Sequence, residues 1–175
     1  CRSGEQILAM PNPNYISGLK KNITLQLGYS FAYDNRIVIN KQLSPSKEYG
    51  EVIAKPRKTK NLKFIKPQSF KIIPTETGYI IDLKKETVGF LDLDIECEGD
   101  EHLIISYGER LVDGHVPRII EQRDFSVEFY AKKGRNVYTN TFRRLAGRYL
   151  EINVKDVKIN YLRIKPVVYP NVKKK

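Results

Sequence analysis

Three carboxylates at alternate positions, Asp92, Asp94 and Glu96, form the densest acid–base grouping in the chain. On an extended strand, alternate residues stand roughly 6.5 Å apart. That lies near the separation at which a carboxyl pair admits a water for inverting acetal hydrolysis. Such chemistry needs one carboxyl pKa raised and its neighbour left ionised. Nothing adjacent in sequence sets these three apart, so they read first as the solvated face of an antiparallel sheet.

The other chemistry-bearing residues are sparse. Asp34 and Asn35 follow Tyr33 and offer carboxylate and amide oxygens. Such oxygens suit calcium, and a calcium ion can bridge sugar hydroxyls; the pair is the candidate carbohydrate- or calcium-binding site, and equally good turn chemistry. No other cofactor is expected. His102 and His115 are separated by a strand and a turn at Asp113-Gly114-His115, with no spacing that makes them joint metal ligands. Cys97 falls on the apolar side of its strand, without a basic neighbour to stabilise a thiolate, and reads as a small buried hydrophobe. Gly108-Glu109-Arg110 and Ala146-Gly147-Arg148 lack the pattern of a phosphate loop, and no elbow frames a serine nucleophile. Eleven tyrosines, Tyr29 and Tyr33 among them, supply aromatic surface that suits sugar stacking, although sheets favour tyrosine in general.

The elements that must position these residues are strands. Ile23–Leu27 alternates apolar and polar, and Arg36–Asn40 is rich in β-branched residues. Ser44-Pro45-Ser46 is turn chemistry. From Phe70 onward the pattern is dense: Ile72-Ile73 before Pro74, Tyr79–Leu83, and Leu91–Cys97 with Leu91, Leu93, Ile95 and Cys97 on one face. Gly99-Asp100 predicts a hairpin to His102–Tyr107. Val127–Ala131, Val137–Phe142, Tyr149–Val154 and Val157–Ile164 follow, with turns at Lys132-Lys133-Gly134 and near Lys155-Asp156. No long 3.6-residue stripe occurs. The expectation is an all-β, antiparallel β-sandwich, jelly-roll-like, preceded by a looser N-terminal β segment. Residues 1–70 read as that partial segment with a basic connector, and residues 71–175 as the sandwich domain.

The 175 residues are 41% hydrophobic and 29% charged, enough for one ordinary domain and too apolar for wholesale disorder. The longest purely apolar run, Ile7–Met10, is far short of a membrane span. Two cysteines exclude a disulfide scaffold. Cys1 reads as an exposed thiol, an artificial boundary, or the acylated first residue of a lipoprotein, and no signal peptide is visible. The net charge of +11 is uneven. Residues 1–74 carry 13 Lys and Arg against 4 Asp and Glu, residues 75–154 carry 11 against 15, and residues 155–175 carry 7 against 1. The basic residues crowd into Lys55–Lys71 and Lys173–Lys175, as in solvated connectors and tails, so nucleic acid is not an expected partner. Binding of another anionic polymer through these flanks would have to weaken steeply with salt.

Several short motifs recur in a familiar order: Gly78-Tyr79-Ile80-Ile81-Asp82-Leu83, Val88-Gly89-Phe90-Leu91, Ile105-Ser106-Tyr107-Gly108-Glu109-Arg110-Leu111, Phe142-Arg143-Arg144 and Arg148-Tyr149-Leu150-Glu151-Ile152. This half of the chain resembles the β-sandwich domain that precedes the catalytic domain in bacterial α-L-rhamnosidases (glycoside hydrolase family 78) and their relatives. It departs at Leu83-Lys84, where the family often has an aromatic residue and a glycine, and in having no Trp. The resemblance implies an accessory, non-catalytic module that braces a separate helical-barrel catalytic domain of the same parent protein and helps shape substrate access. It also implies a periplasmic or extracellular location and contact with rhamnose-containing carbohydrate. The alternative is a free-standing carbohydrate-binding module.

Overall fold

The computed structural model describes residues 8–22, 29–40, 43–45, 61–67 and 69–169. Cys1, the strand expected over Ile23–Leu27, the first part of the Lys55–Lys71 run and Lys173–Lys175 lie outside them. Among the described residues every regular element is a strand. In chain order these are β1 (Leu8–Ala9), β2 (Tyr15–Asn22), β3 (Tyr29–Asp34), β4 (Ser44–Pro45), β5 (Lys63–Phe64), β6 (Lys71–Pro74) and β7 (Tyr79–Cys97). They continue as β8 (Glu101–Gly108), β9 (Ile119–Ile120), β10 (Arg123–Asp124), β11 (Ser126–Ala131), β12 (Gly134–Ile152) and β13 (Val157–Val168). The fold is the all-β sandwich that the strand pattern predicts.

Two 19-residue strands organise it. β7 and β12 pair antiparallel along almost their whole length. Their far ends, with β13 on the other side of β7, make one layer. Their near ends continue through β8, β11, β3 and β2 into the other, with β6 on the flank of β7. The pairing of β11 with β3 is parallel, and the remaining pairs are antiparallel. Residues 15–34 thus extend the main sheet, and β5 pairs with the end of β13.

Alternation fills the space between the layers. Leu91, Leu93 and Ile95 from β7 meet Leu103 and Ile105 from β8, Phe129 from β11, Leu150 and Ile152 from β12 and Leu162 from β13, all fully buried. Each such side chain contributes about 1.5–3 kcal/mol of transfer free energy. Leu91, Leu93, Ile95 and Cys97 do share the core face.

Three local expectations need correction. The Gly99-Asp100 turn does not close a hairpin. β7 pairs with β12, β13 and β6, and β8 with β11 and β12, so the connection crosses from one layer to the other. Both edges of β7 up to Cys97 are already taken, by β12 on one side and β13 on the other, so no ladder position is left there for β8. Arg36–Asn40 is not a strand. Asn35 and Arg36 form a turn, and Val38, 80% exposed, has no strand beside it. β-Branched composition alone supplies no ladder partner. Ser44-Pro45 pairs briefly with Leu8-Ala9 where a turn was expected.

β7 and β12 each carry a bulge. Between Asp82 and Thr87 β7 advances five residues while β12 advances two, from Gly147 to Tyr149. Between Thr139 and Arg144 the imbalance is reversed. The two insertions cancel, so both ends of the ladder keep one register. At the first bulge Lys84 adopts φ 65°, and Asp82 Oδ1 accepts its backbone N–H at 2.7 Å. A left-handed conformation costs a non-glycine residue on the order of 1 kcal/mol. Further along, Gly89 lets β13 close on β7: a Cβ there would stand 2.0 Å from the Lys165 carbonyl oxygen.

Opposite outcomes are expected for two substitutions in this strand. Gly89→Ala should lower stability by about 3 kcal/mol, on the order of 10 °C in Tm, because backbone must move. Lys84→Gly should leave stability unchanged or raise it by up to about 1 kcal/mol. Urea unfolding of the two variants beside the parent chain measures both, and a destabilised Lys84→Gly would remove the strain argument.

Candidate functional site

The acid row faces outward from β7, as alternation requires, but only Glu96 is open to solvent. Asp92 and Asp94 are 3% and 5% exposed. Asp92 lies opposite Arg163 on β13 and Thr139 on β12; it accepts from Arg163 Nε at 2.8 Å and from Thr139 Oγ1 at 2.6 Å. Arg135 clasps Asp94 through two bonds of 3.0 and 2.7 Å, and Asn160 Nδ2 adds a third at 3.1 Å. Lys158 and Asn160 hold Glu96. The Arg163 guanidinium caps the row by lying 3.9 Å over the Tyr161 ring. Hydrogen bonds from Arg135 hold the Asp94 carboxyl below the usual range, and those from Lys158 do the same for Glu96. A general acid needs the opposite shift. The row is a cross-strand ion-pair ladder.

Asp34 and Asn35 also have protein partners. Asp34 ends β3, and its carboxylate is gripped by the Arg36 guanidinium at 2.9 and 2.7 Å and by the Arg36 backbone N–H at 3.0 Å. Arg36 lowers its pKa. Asn35 Nδ2 donates to Asn136 Oδ1 at 2.6 Å, and its backbone N–H to the Tyr130 carbonyl at 2.8 Å. Asn136, fully buried, is saturated by Lys132 and Gly134 backbone groups. The pair therefore stitches the β3 turn to the β11–β12 turn. A calcium ion at Asp34 would have to displace Arg36.

The tyrosines divide. Tyr33 is part of the core wall, stacked on Tyr138 at 4.2 Å and near Phe129. The Tyr29 side chain lies outside the described residues. The most exposed aromatic side chain among the described residues is Phe142, 71% exposed on the β12 bulge, with edges against Tyr15 and Phe31. Burial raises the Cys97 thiol pKa, as suits a core residue.

The sequence reading missed a concavity of about 240 Å³ on the outer face of the second layer. Ile104 and Ser106 of β8 and Glu151 of β12 form its floor, Asn153 its edge, and His115, Val116 and Arg118 its wall. Strand register puts Ser106 directly between Glu151 and Ser126. Glu151 pins the wall: Oε1 meets His115 Nδ1 at 2.7 Å, and Oε2 accepts the Val116 N–H at 2.7 Å. Arg118 is steadied by Asp124, which also accepts from Ser126 Oγ. Ile104 N–H donates to Asn153 Oδ1 at 2.7 Å. His102 shares this face but lies four residues along β8 from Ser106, about 13 Å away; it meets Glu128 and stacks on Tyr130. Among the described residues, no three His, Cys, Asp or Glu side chains are grouped to hold a metal. The Asp-Gly-His turn was visible in sequence; its partner Glu151, 36 residues on, carries no local mark.

No family model matches the chain, and no curated protein matches it. Its fold is similar to solved α-L-rhamnosidase structures. That from Aspergillus terreus is 13% identical over 79% of this chain, with TM-score 0.58. That from Dictyoglumus thermophilum is 18% identical over 80% of it, with TM-score 0.55. A family 78 rhamnosidase of Bacillus matches 58% of this chain at 24% identity, TM-score 0.46, and 11% of its own length. This chain spans 18% of the length of each of the first two.

Two titrations follow from the ion pairs. Asp34, Asp82, Asp94 and Glu96 all have lowered pKa values. Their stabilisation is present above the unfolded carboxylate pKa of about 4 and is lost as pH falls through the folded values. The urea midpoint should drop as pH falls below about 4; a midpoint that does not fall there contradicts the pairing. At neutral pH, Arg163→Met should cost about 3 kcal/mol by leaving the Asp92 charge buried with only Thr139. His115 is shifted the other way, raised by Glu151. Its proton NMR titration should have a midpoint above about 6.5, and Glu151→Gln should bring it back.

Proposed function

We propose that this chain is an accessory, non-catalytic β-sandwich domain of an α-L-rhamnosidase-like glycoside hydrolase, one that braces a helical-barrel catalytic domain and borders substrate access. The observation that carries the reading is the state of the acids. Asp92, Asp94 and Glu96 have the spacing of a hydrolytic pair, yet each has a cation across the strand, and those on Asp94 and Glu96 hold the carboxyls below the usual range. A fold that makes up under a fifth of two solved rhamnosidases supports the same division of labour.

A docking domain also needs somewhere to dock. Phe64, Ile65, Val88 and Val168 are all exposed around the junction of β5, β13 and β7. Phe64 lies opposite Val167, Ile65 N–H donates to the Pro166 carbonyl, and Pro166 lies opposite Gly89 beside Val88. Contiguous apolar surface of this kind suits a partner domain.

The purified chain should release no 4-nitrophenol from 4-nitrophenyl α-L-rhamnoside over hours at micromolar protein. Turnover that co-purifies with the chain and disappears in Asp92→Asn or Asp94→Asn would overturn the accessory role.

A further inference from the structure

The loop that follows β8 carries a two-residue turn at its tip. Asp113 and Gly114 take φ 50° and 80°. The flanking Val112 and His115 exchange both backbone hydrogen bonds, at 2.8 and 3.0 Å. This is the pattern of a type I′ hairpin turn, which Asp-Gly favours. The tip therefore keeps its own shape, and what holds it on the sheet is a separate matter.

Two contacts hold it there. One is apolar: Val116, 4% exposed, packs over Gly108, where an added Cβ would stand 3.3 Å from its Cγ1. The other is the Glu151 carboxylate, which divides its two oxygens between the His115 ring and the Val116 N–H, both at 2.7 Å. The far end of the loop is fixed independently, because the Arg118 carbonyl accepts the Phe125 N–H and the Arg118 guanidinium pairs with Asp124. The apolar contact is indifferent to pH, and the carboxylate contact is not. The His115 side chain is 52% exposed and exchanges its proton freely with solvent, whereas the Glu151 side chain is 13% exposed.

The charged groups around the His115 ring are mostly acids. Glu151 reaches it from β12, Glu76 from the turn between β6 and β7, and Asp113 from its own turn. Arg118 stands further along the same wall, turned to Asp124. The acids favour the imidazolium, Glu151 most of all, and raise its pKa. The ion pair is thus complete below about pH 6.5 and is lost as pH rises through the higher folded value. Above that value Glu151 keeps its charge but faces a neutral ring. So deeply set, it can replace the lost cation with water only if the tip lifts. His102 takes no part, since it pairs with Glu128 between two strands already joined.

We propose that the 109–118 loop is a pH-operated latch on the outer concavity: protonated His115 holds the tip on Glu151, and its deprotonation lets the tip lift, admits water to the carboxylate and opens the wall beside Ser106. The latch goes beyond the accessory reading and does not depend on it, since it needs only the loop and the sheet beneath.

The test is exchange of backbone amide protons with water, followed by NMR on the whole chain from about pH 5.5 to about 8.5, either side of a histidine's usual range. Each rate is divided by the intrinsic rate at that pH. The amides of Val112, His115 and Val116 report on the latch, and those of Leu103 and Ile105 on the core beneath it. Protection of the three loop amides should fall about threefold, the scale of a partly exposed ion pair, with the midpoint of the His115 titration, while the core amides stay level. Glu151→Gln should remove the step and leave the loop amides weakly protected throughout. If that variant loses its dispersed spectrum, His115→Gln, at an exposed loop position, takes its place, and there too the step should vanish. Loop protection that is independent of pH, an equal fall at the core amides, or a step that survives in the folded variant overturns the latch. Hydrolysis of the aryl rhamnoside would refute the accessory role and leave the latch standing.

Discussion

The ladder between β7 and β12 is the constraint from which the other features follow. Both strands pass from one layer into the other, so each must present its apolar residues to one shared core along its full length. A slip of one residue would turn Leu91, Leu93 and Ile95 outward and drive Asp92 and Asp94 into the core, at a cost no local contact could offset. The bulges show how strictly the register is kept. Each adds three residues to one strand, and the second restores what the first displaced. Bulges bend a strand and sharpen its twist, and a strand that serves two layers has to bend.

Buried charge makes sense in the same frame. Desolvating a carboxylate and a guanidinium offsets much of their attraction, so such pairs are weak evidence for stability. Their geometric effect is firmer. Arg163 stands opposite Asp92, and Arg135 reaches Asp94 from the position opposite Glu96, so each contact depends on one alignment of β13, β7 and β12. Hydrophobic alternation marks which face of a strand is inside but is indifferent to a slip of two residues. The ion pairs penalise that slip, because it leaves a carboxylate buried without its cation.

What the sequence makes legible follows from range. The class of fold, the apolar face of Leu91–Cys97, the burial of Cys97 and the turn at Asp34-Asn35 each depend on residues within a few positions of one another, and all are readable there. β12 was readable only in pieces, as Val137–Phe142 and Tyr149–Val154, because the bulge after Thr139 breaks its alternation. The hairpin expected at Gly99-Asp100 was misread for a related reason: a turn signal says that the chain reverses, not whether the returning strand lies beside its predecessor or across the core from it. The partners of Asp92 lie 47 and 71 residues away, and the partner of His115 lies 36 away. Periodicity carries no information at that distance.

The unequal outer faces are a consequence of which strands stand side by side. β7 lies between two long strands, β12 and β13, and both bring arginine or lysine to the positions its acids need. β8 lies between β12 and the shorter β11. At Ser106 those neighbours present Glu151 and Ser126, each already engaged, one with the 109–118 loop and the other with Asp124. Ser106 therefore has no cation on either side to match those that flank the β7 acids. The loop beside it is held by Glu151, which bonds His115 and the Val116 N–H. The ladder of ion pairs on one face and the carboxylate-held loop on the other thus arise from one strand order.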